Sequence, residues 1–241
     1  MTYKELVNAV LTRLREDAVG SVTETDYSSL VGAFVNDAKR VVEDAWPWRA
    51  LLRTVNVPMT ANVSANYDLE DYTTNEASDQ LNERCRLYID PDTGTPLVRI
   101  ITNDRERELA VVTQTRNFIT RQSEDNDSTA GQVDKVYFGA NPSPTSGKTN
   151  LRLYTLPSEP DNTETVQIFV INPQNELSSD STVILVPSEP VKQLAYLYCL
   201  YERGEEIGEF LTLTSSKAES ALADAISFEA SQTSNPRFVF E

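Results

Sequence analysis

Apolar positions near the start of the chain recur with a helical period. Leu6, Val7, Val10, Leu11 and Leu14 fall on one stripe, and Lys4, Asn8, Thr12, Arg15 and Glu16 take the rest of the circumference. Thr2 and Glu5 have the spacing of a capping box, in which the hydroxyl takes one free helix amide and the carboxylate reaches back to another. The spacing therefore predicts a helix over 3–16, ended by Gly20 and Ser21. A second helix is predicted over 27–45, with Asp26 as N-cap. Leu30, Val31, Phe34, Ala38, Val41, Val42 and Ala45 would face inward, and Pro47 forbids further propagation at Trp46-Pro47-Trp48.

From Arg49 the period changes. β-Branched runs separated by Pro, Gly, Asn and Asp predict strands near 50–58, 66–70, 83–89, 96–102, 133–139, 149–155, 165–172 and 182–186. Two polar stretches, 73–82 and 122–131, lack hydrophobic periodicity and read as exposed loops. Residues 104–121 admit two readings, since Leu109 to Val112 suits a strand and Gln114 to Arg121 a short helix.

At Ser188 the helical period returns. Glu189 and Pro190 are favoured first-turn residues, Val191, Leu194, Ala195, Tyr198 and Tyr201 recur at helical spacing, and Gly204 is the natural stop. Leu197, Cys199 and Leu200 are apolar as well, so this helix, 189–203, needs cover from several sides, including neighbours outside the chain. A last helix over 206–230 carries Ala218, Ala221, Leu222, Ala225, Ile226 and Glu229 along one side. The four helices are expected to share a core of Leu6, Val10, Phe34, Val41, Leu194, Tyr198, Leu222 and Ile226.

The fold class is therefore α+β. A helical bundle formed by 1–50 and 188–232 would enclose an inserted β-rich domain, sandwich or barrel-like, over 51–187, and 233–241 would be an extended C-terminal tail. That tail ends Arg237-Phe238-Val239-Phe240-Glu241, a short β-prone strip behind a polar linker, suited to docking on a neighbouring subunit or another protein.

Composition narrows the chemistry. With 21 basic and 37 acidic side chains among 241 residues the net charge is −16, which argues against a general basic surface for nucleic acid or anionic lipid. Histidine is absent, so Ser-His, Cys-His and His-ligated metal chemistry are excluded. Cys85 and Cys199 are far apart in sequence, and reduced thiols are expected. The longest apolar run, Leu194 to Tyr201, is far shorter than the roughly 20 residues of a membrane-spanning helix, and the opening residues show no export signal, so a soluble protein made in the cytoplasm, with no membrane partner, is expected.

Three motifs were weighed for chemistry. Ser146-Gly147-Lys148-Thr149 has the end of a phosphate-binding loop, but Pro142 stands where that motif needs its first glycine, and a strand rather than a helix follows, which makes it a hairpin turn. Asp90-Pro91-Asp92-Thr93-Gly94 and Asp125-Asn126-Asp127-Ser128-Thr129 have too few carboxylates for calcium, and Ala130 and Val136 occupy ligand-loop positions of the second. Carboxylate pairs could support glycoside hydrolysis with Trp46 and Trp48 stacking on sugar, yet no pair is singled out, and tryptophans flanking a corner proline also serve as a hydrophobic plug. No catalytic, cofactor-binding or metal-binding residue is assigned. Glu202, Glu205, Glu206 and Glu209 form an acidic cluster, either a solvated face or, repeated around a ring, a negative collar past which DNA slides.

The order of features resembles one family. Two N-terminal helices close on Trp46-Pro47-Trp48-Arg49, a β-rich insertion follows, Leu151-Arg152-Leu153-Tyr154 precedes Pro157-Ser158-Glu159-Pro160, and Val186-Pro187 opens a Tyr- and Leu-rich helix ending Tyr201-Glu202-Arg203-Gly204-Glu205. This resembles the head-to-tail adaptors of tailed, short-tailed bacteriophages. The resemblance implies a structural virion protein without catalysis or cofactor, forming a ring, typically of twelve copies, under the portal. It further implies three partners: the portal, the next tail component (nozzle or tail hub), and double-stranded DNA that passes without specific binding. Another phage neck or tail-completion protein is the alternative, and a carbohydrate-binding or carbohydrate-cleaving domain the more distant one.

Overall fold

The computed structural model describes residues 1–61, 66–74, 80–91, 93–102, 105–112, 132–156, 164–204 and 208–233. The chain is α+β and divides into two compact units, Met1–Leu51 with Gln174–Glu241, and Leu52–Pro173. Among the described residues no helix is long and apolar enough to cross a membrane.

Among its described residues the first unit holds four helices: α1 (Tyr3–Arg13), α2 (Asp26–Ala45), α3 (Ser188–Arg203) and α4 (Glu209–Thr233). The capping box of α1 forms, with the Thr2 amide donating to Glu5 Oε2 at 2.8 Å and the Glu5 amide to Thr2 Oγ1 at 3.3 Å. The α1 stripe from Leu6 to Leu14 is buried as its spacing predicts. The helix closes before Gly20, because Arg15 adopts φ 60, the left-handed conformation usually given to glycine at a helix end. Asn8 then fixes the outgoing chain, its amide side chain bonding both the carbonyl and the amide of Val19.

The α2 face is turned relative to expectation. Its N-cap is Thr25, paired with Ser28, in place of Asp26. Ser28, Val31, Gly32, Val35, Ala38, Lys39, Val42 and Glu43 are buried, whereas Leu30, Val41 and Ala45 are exposed and Phe34 is half-buried. Polar and small residues on the inward face caused the misreading. Gly32 is there because α1 comes close: a Cβ would run into the Tyr3 hydroxyl and lie 2.8 Å from Val22 Cγ1.

Helix α3 is covered by α1, α2 and α4, and keeps Tyr201 57 % exposed. Its buried residues are Pro190, Val191, Ala195, Leu197, Cys199 and Leu200, while Leu194 and Tyr198, expected in the core, are half-buried. Gly204 ends it at φ 61, its amide reaching the Leu200 and Tyr201 carbonyls. Of the described α4 side chains only Thr214 and Ala218 are buried, and Leu222 and Ile226 are half-buried. Residues 182–186 form no strand. They run beside the residues that lead into α1, with one bridge, Thr2 to Val183, and cannot extend the ladder because the chain turns helical at Tyr3.

Among its described residues the second unit has nine strands: β1 (Leu52–Pro58), β2 (Tyr67–Asp68), β3 (Arg86–Leu87), β4 (Val98–Thr102), β5 (Arg105–Glu108), β6 (Ala110–Val111), β7 (Lys135–Ala140), β8 (Leu151–Leu156) and β9 (Thr165–Ile171). One sheet runs β1-β9-β4-β5, with β3 also on β9, and the other runs β2-β8-β7-β6. In β9, Val166, Ile168 and Val170 alternate inward, as a half-buried strand requires. They join Val55, Val57, Val98 and Ile100 of the same sheet and Tyr67, Val136 and Leu153 of the other in one core, a sandwich arrangement. The expected strand at 83–89 shrinks to two residues, and β5 escaped notice because Arg-Glu-Arg-Glu has no apolar face. A bridge from Thr73 to Gln80 closes the first predicted loop at its base. Residues 114–121 and 122–131 lie outside the described residues.

Candidate functional site

Helix α2 ends at Trp46, and Pro47 lacks the amide to continue it. The chain folds back so that Trp48 is only 2 % exposed and its indole N–H donates to the Val42 carbonyl at 2.6 Å. Trp48 is thus a hydrophobic plug with no surface for a sugar or a partner, and Trp46 is half-buried. The next residue, Arg49, binds Glu229 of α4 through both its amide, at 3.0 Å, and its side-chain Nε, at 3.2 Å, and also bonds Gln232.

The acidic cluster is only partly described. Glu202 and Glu209 are exposed, and Glu205 and Glu206 lie outside the described residues, as do Arg237, Phe238, Val239, Phe240 and Glu241 of the tail. Next to Glu202, Arg203 points the other way: it donates to the Tyr27 hydroxyl at 2.7 Å, pairs with Glu16 and lies 4.8 Å from the Tyr27 ring centre. The cation at this turn therefore fastens the bundle, and Glu202 and Glu209 stay in solvent.

A groove that periodicity did not reveal lies on α2 and α3, about 590 Å³ in volume and lined by Phe34, Asp37, Arg40, Val41, Tyr198, Tyr201 and Glu202. Phe34 and Tyr198 meet edge to face with ring centres 6.3 Å apart. Its walls are aromatic and aliphatic with charges at the margins, a chemistry suited to receiving protein side chains. The model of the SU10 adaptor protein family matches residues 1–237. The chain belongs to the SU10 adaptor family. Among curated proteins it has no match.

This is a family of structural phage proteins, adaptor components of the virion that interact with portal and tail parts and are not normally catalytic. Two of the suspected chemical motifs are turns. Ser146 to Thr149 turns the chain between β7 and β8, with Gly147 at φ 78 and the Lys148 amide on the Thr145 carbonyl at 3.0 Å. At the first acidic string, the Gly94 amide bonds the Asp90 carbonyl at 2.8 Å, and Thr93 donates to the Asp90 carboxylate at 3.1 Å, which makes a tight turn. The second string, 125–129, lies outside the described residues.

One polar cluster of the helical unit is not legible in the sequence. Lys39 and Glu43 have fully buried side chains 3.1 Å apart. The Lys39 ammonium also donates to the carbonyls of Gln174, at 2.6 Å, and Asn175, at 3.1 Å, while the Gln174 amide donates to Glu43 at 3.1 Å. Asn36 continues the ladder, bonding both the carbonyl and the amide of Leu177. The set ties residues 174–177 to α2. The i,i+4 spacing of Lys39 and Glu43 was visible, but such pairs are usually solvated, so their burial was not.

Cys85 and Cys199 form no disulfide, and both are buried. Burial pushes the Cys199 thiol from its ordinary value of 9.0 up to about 11. A thiol that stays protonated in the folded state holds a proton the unfolded chain has lost, so its contribution to stability is complete below pH 9 and declines as pH rises to about 11. Alkylation of Cys199 at pH 8 is expected to wait on unfolding, which mass spectrometry with and without denaturant would measure.

Proposed function

We propose that this member of the SU10 adaptor family is the head-to-tail adaptor of a short-tailed bacteriophage. It would assemble as a ring, typically of twelve copies, under the portal, extend the DNA channel and offer the docking platform for the next tail component, a nozzle or tail hub. The observation that carries this reading is the family match over residues 1–237. The charge of −16 suits a conduit past which DNA moves without specific binding, with Glu202, Glu205, Glu206 and Glu209 as the channel-facing candidates. Within this reading the helical unit, residues 1–51 with 174–232, is the body, the β-rich unit, 52–173, the insertion, and 233–241 a tail whose strip Arg237 to Glu241 docks on a neighbour or on the portal.

The test is electron microscopy of the chain mixed with its portal. A closed ring of adaptors seated on the portal is the expected image. Particles that place the chain elsewhere on the virion neck, or portals that stay bare at saturating adaptor, would overturn the reading. Deleting 236–241 is expected to weaken assembly while leaving the melting temperature of the isolated chain nearly unchanged.

A further inference from the structure

The helical unit carries two surfaces that match each other. On α4, Phe210, Leu213 and Lys217 recur three and four residues apart, one outward stripe, with Phe210 46 % and Leu213 51 % exposed and Lys217 exposed as well. On α2 and α3, the 590 Å³ groove presents Val41, 44 % exposed, and Tyr201, 57 % exposed. Its charged margin is not balanced: Arg40 is held by Glu176 at 2.7 Å, whereas Asp37 and Glu202 make no ion pair among the described residues, and neither does Lys217 of the stripe.

We propose that the Phe210-Leu213-Lys217 stripe of one copy seats in the α2/α3 groove of the next, the two apolar residues against Val41 and Tyr201 and the ammonium against Asp37. This deepens the adaptor reading and rests on it, because it names the surface by which copies join. Charge complementarity selects a second copy as occupant: the stripe ends in the Lys217 ammonium, the groove carries the Asp37 carboxylate with Arg40 already paired to Glu176, and each copy has one of each. Within one chain the stripe stays outside the groove, since Phe210 and Leu213 remain exposed. Joining unlike surfaces is a heterologous contact, which propagates from copy to copy and closes into a ring when the rotation allows, instead of ending at a two-fold dimer.

Two measurements test it on the full chain mixed with its portal. With Val41→Cys and Leu213→Cys in the same chain, oxidation is expected to give adaptor-to-adaptor cross-links, because the native Cys85 and Cys199 are buried. Lys217→Glu, an exposed change that should leave the melting temperature in place, is expected to weaken assembly about tenfold or more by setting like charges together, and Asp37→Lys added to it to restore assembly. Rings of the Val41→Cys, Leu213→Cys chain that show no 41–213 cross-link, or Lys217→Glu rings as readily formed as wild type, would overturn the interface and leave the adaptor reading standing. A Val41→Cys, Phe240→Cys pair that cross-links in their place would give the groove to the C-terminal tail and overturn the interface too. Failure of the wild-type chain to form rings on the portal would overturn both.

Discussion

Lys39→Met is expected to destabilise the helical unit by about 3–5 kcal/mol, among the largest effects available to one substitution in this chain. The Glu43 carboxylate would be left without the ammonium that faces it at 3.1 Å, in a place with no solvent. The carbonyls of Gln174 and Asn175 would lose the same donor, so the strap from 174 to 177 would lose part of its attachment to α2. A buried ion pair is itself weak support for stability, since desolvation of two charges offsets most of their attraction. The damage comes from breaking it on one side. The double variant Lys39→Met, Glu43→Leu is therefore expected to recover most of the loss. Urea unfolding of the wild type, the single and the double variant measures the difference. A single variant as stable as wild type would mean that the pair is solvated.

The same cluster shows what sequence reading could not reach. Periodicity located α1 and its buried stripe because Leu6, Val7, Val10 and Leu11 are apolar and their intervening neighbours polar, so pattern and packing agree. In α2 they disagree. The buried positions include Ser28, Gly32, Lys39 and Glu43, each chosen for a cap, a close approach or a polar strap, and the apolar Leu30 and Val41 sit outside. A hydrophobicity count turns such a helix to the wrong face. The β-rich unit was legible where strands alternate, as in β9, and illegible where pairing alone makes the strand, as in the charged β5.

The groove was hidden for another reason. Phe34 and Val41 are separated from Tyr198 and Tyr201 by most of the chain, and only the packing of α2 on α3 brings them together. Each residue taken alone reads as core, which is why Phe34, Val41 and Tyr198 were placed there. Their partial exposure is the signal that the face is a surface for something else. The family match supplies a role in which such a surface has a use, because the adaptor family implies interaction with portal and tail components.

Trp48→Ala is expected to cost about 3–5 kcal/mol, the range for removing a large buried aromatic. The indole does more than fill space. Val42 contributes one of the last four carbonyls of α2, which have no helical partner, and the Trp48 N–H takes it at 2.6 Å. Pro47, directly after the cap, has no amide to offer in its place. Trp48→Phe should thus separate the two contributions, keeping most of the burial and losing about 0.5–1.5 kcal/mol with the hydrogen bond. Trp46→Phe, at a half-buried position, is expected to change stability little, and it leaves Trp48 as the one remaining tryptophan of the two in the chain. Emission of that variant should be blue-shifted when folded and move to the red as the corner opens in urea. Red emission from the folded Trp46→Phe variant would show that Trp48 is in water, and the plug at the end of α2 would have to be abandoned.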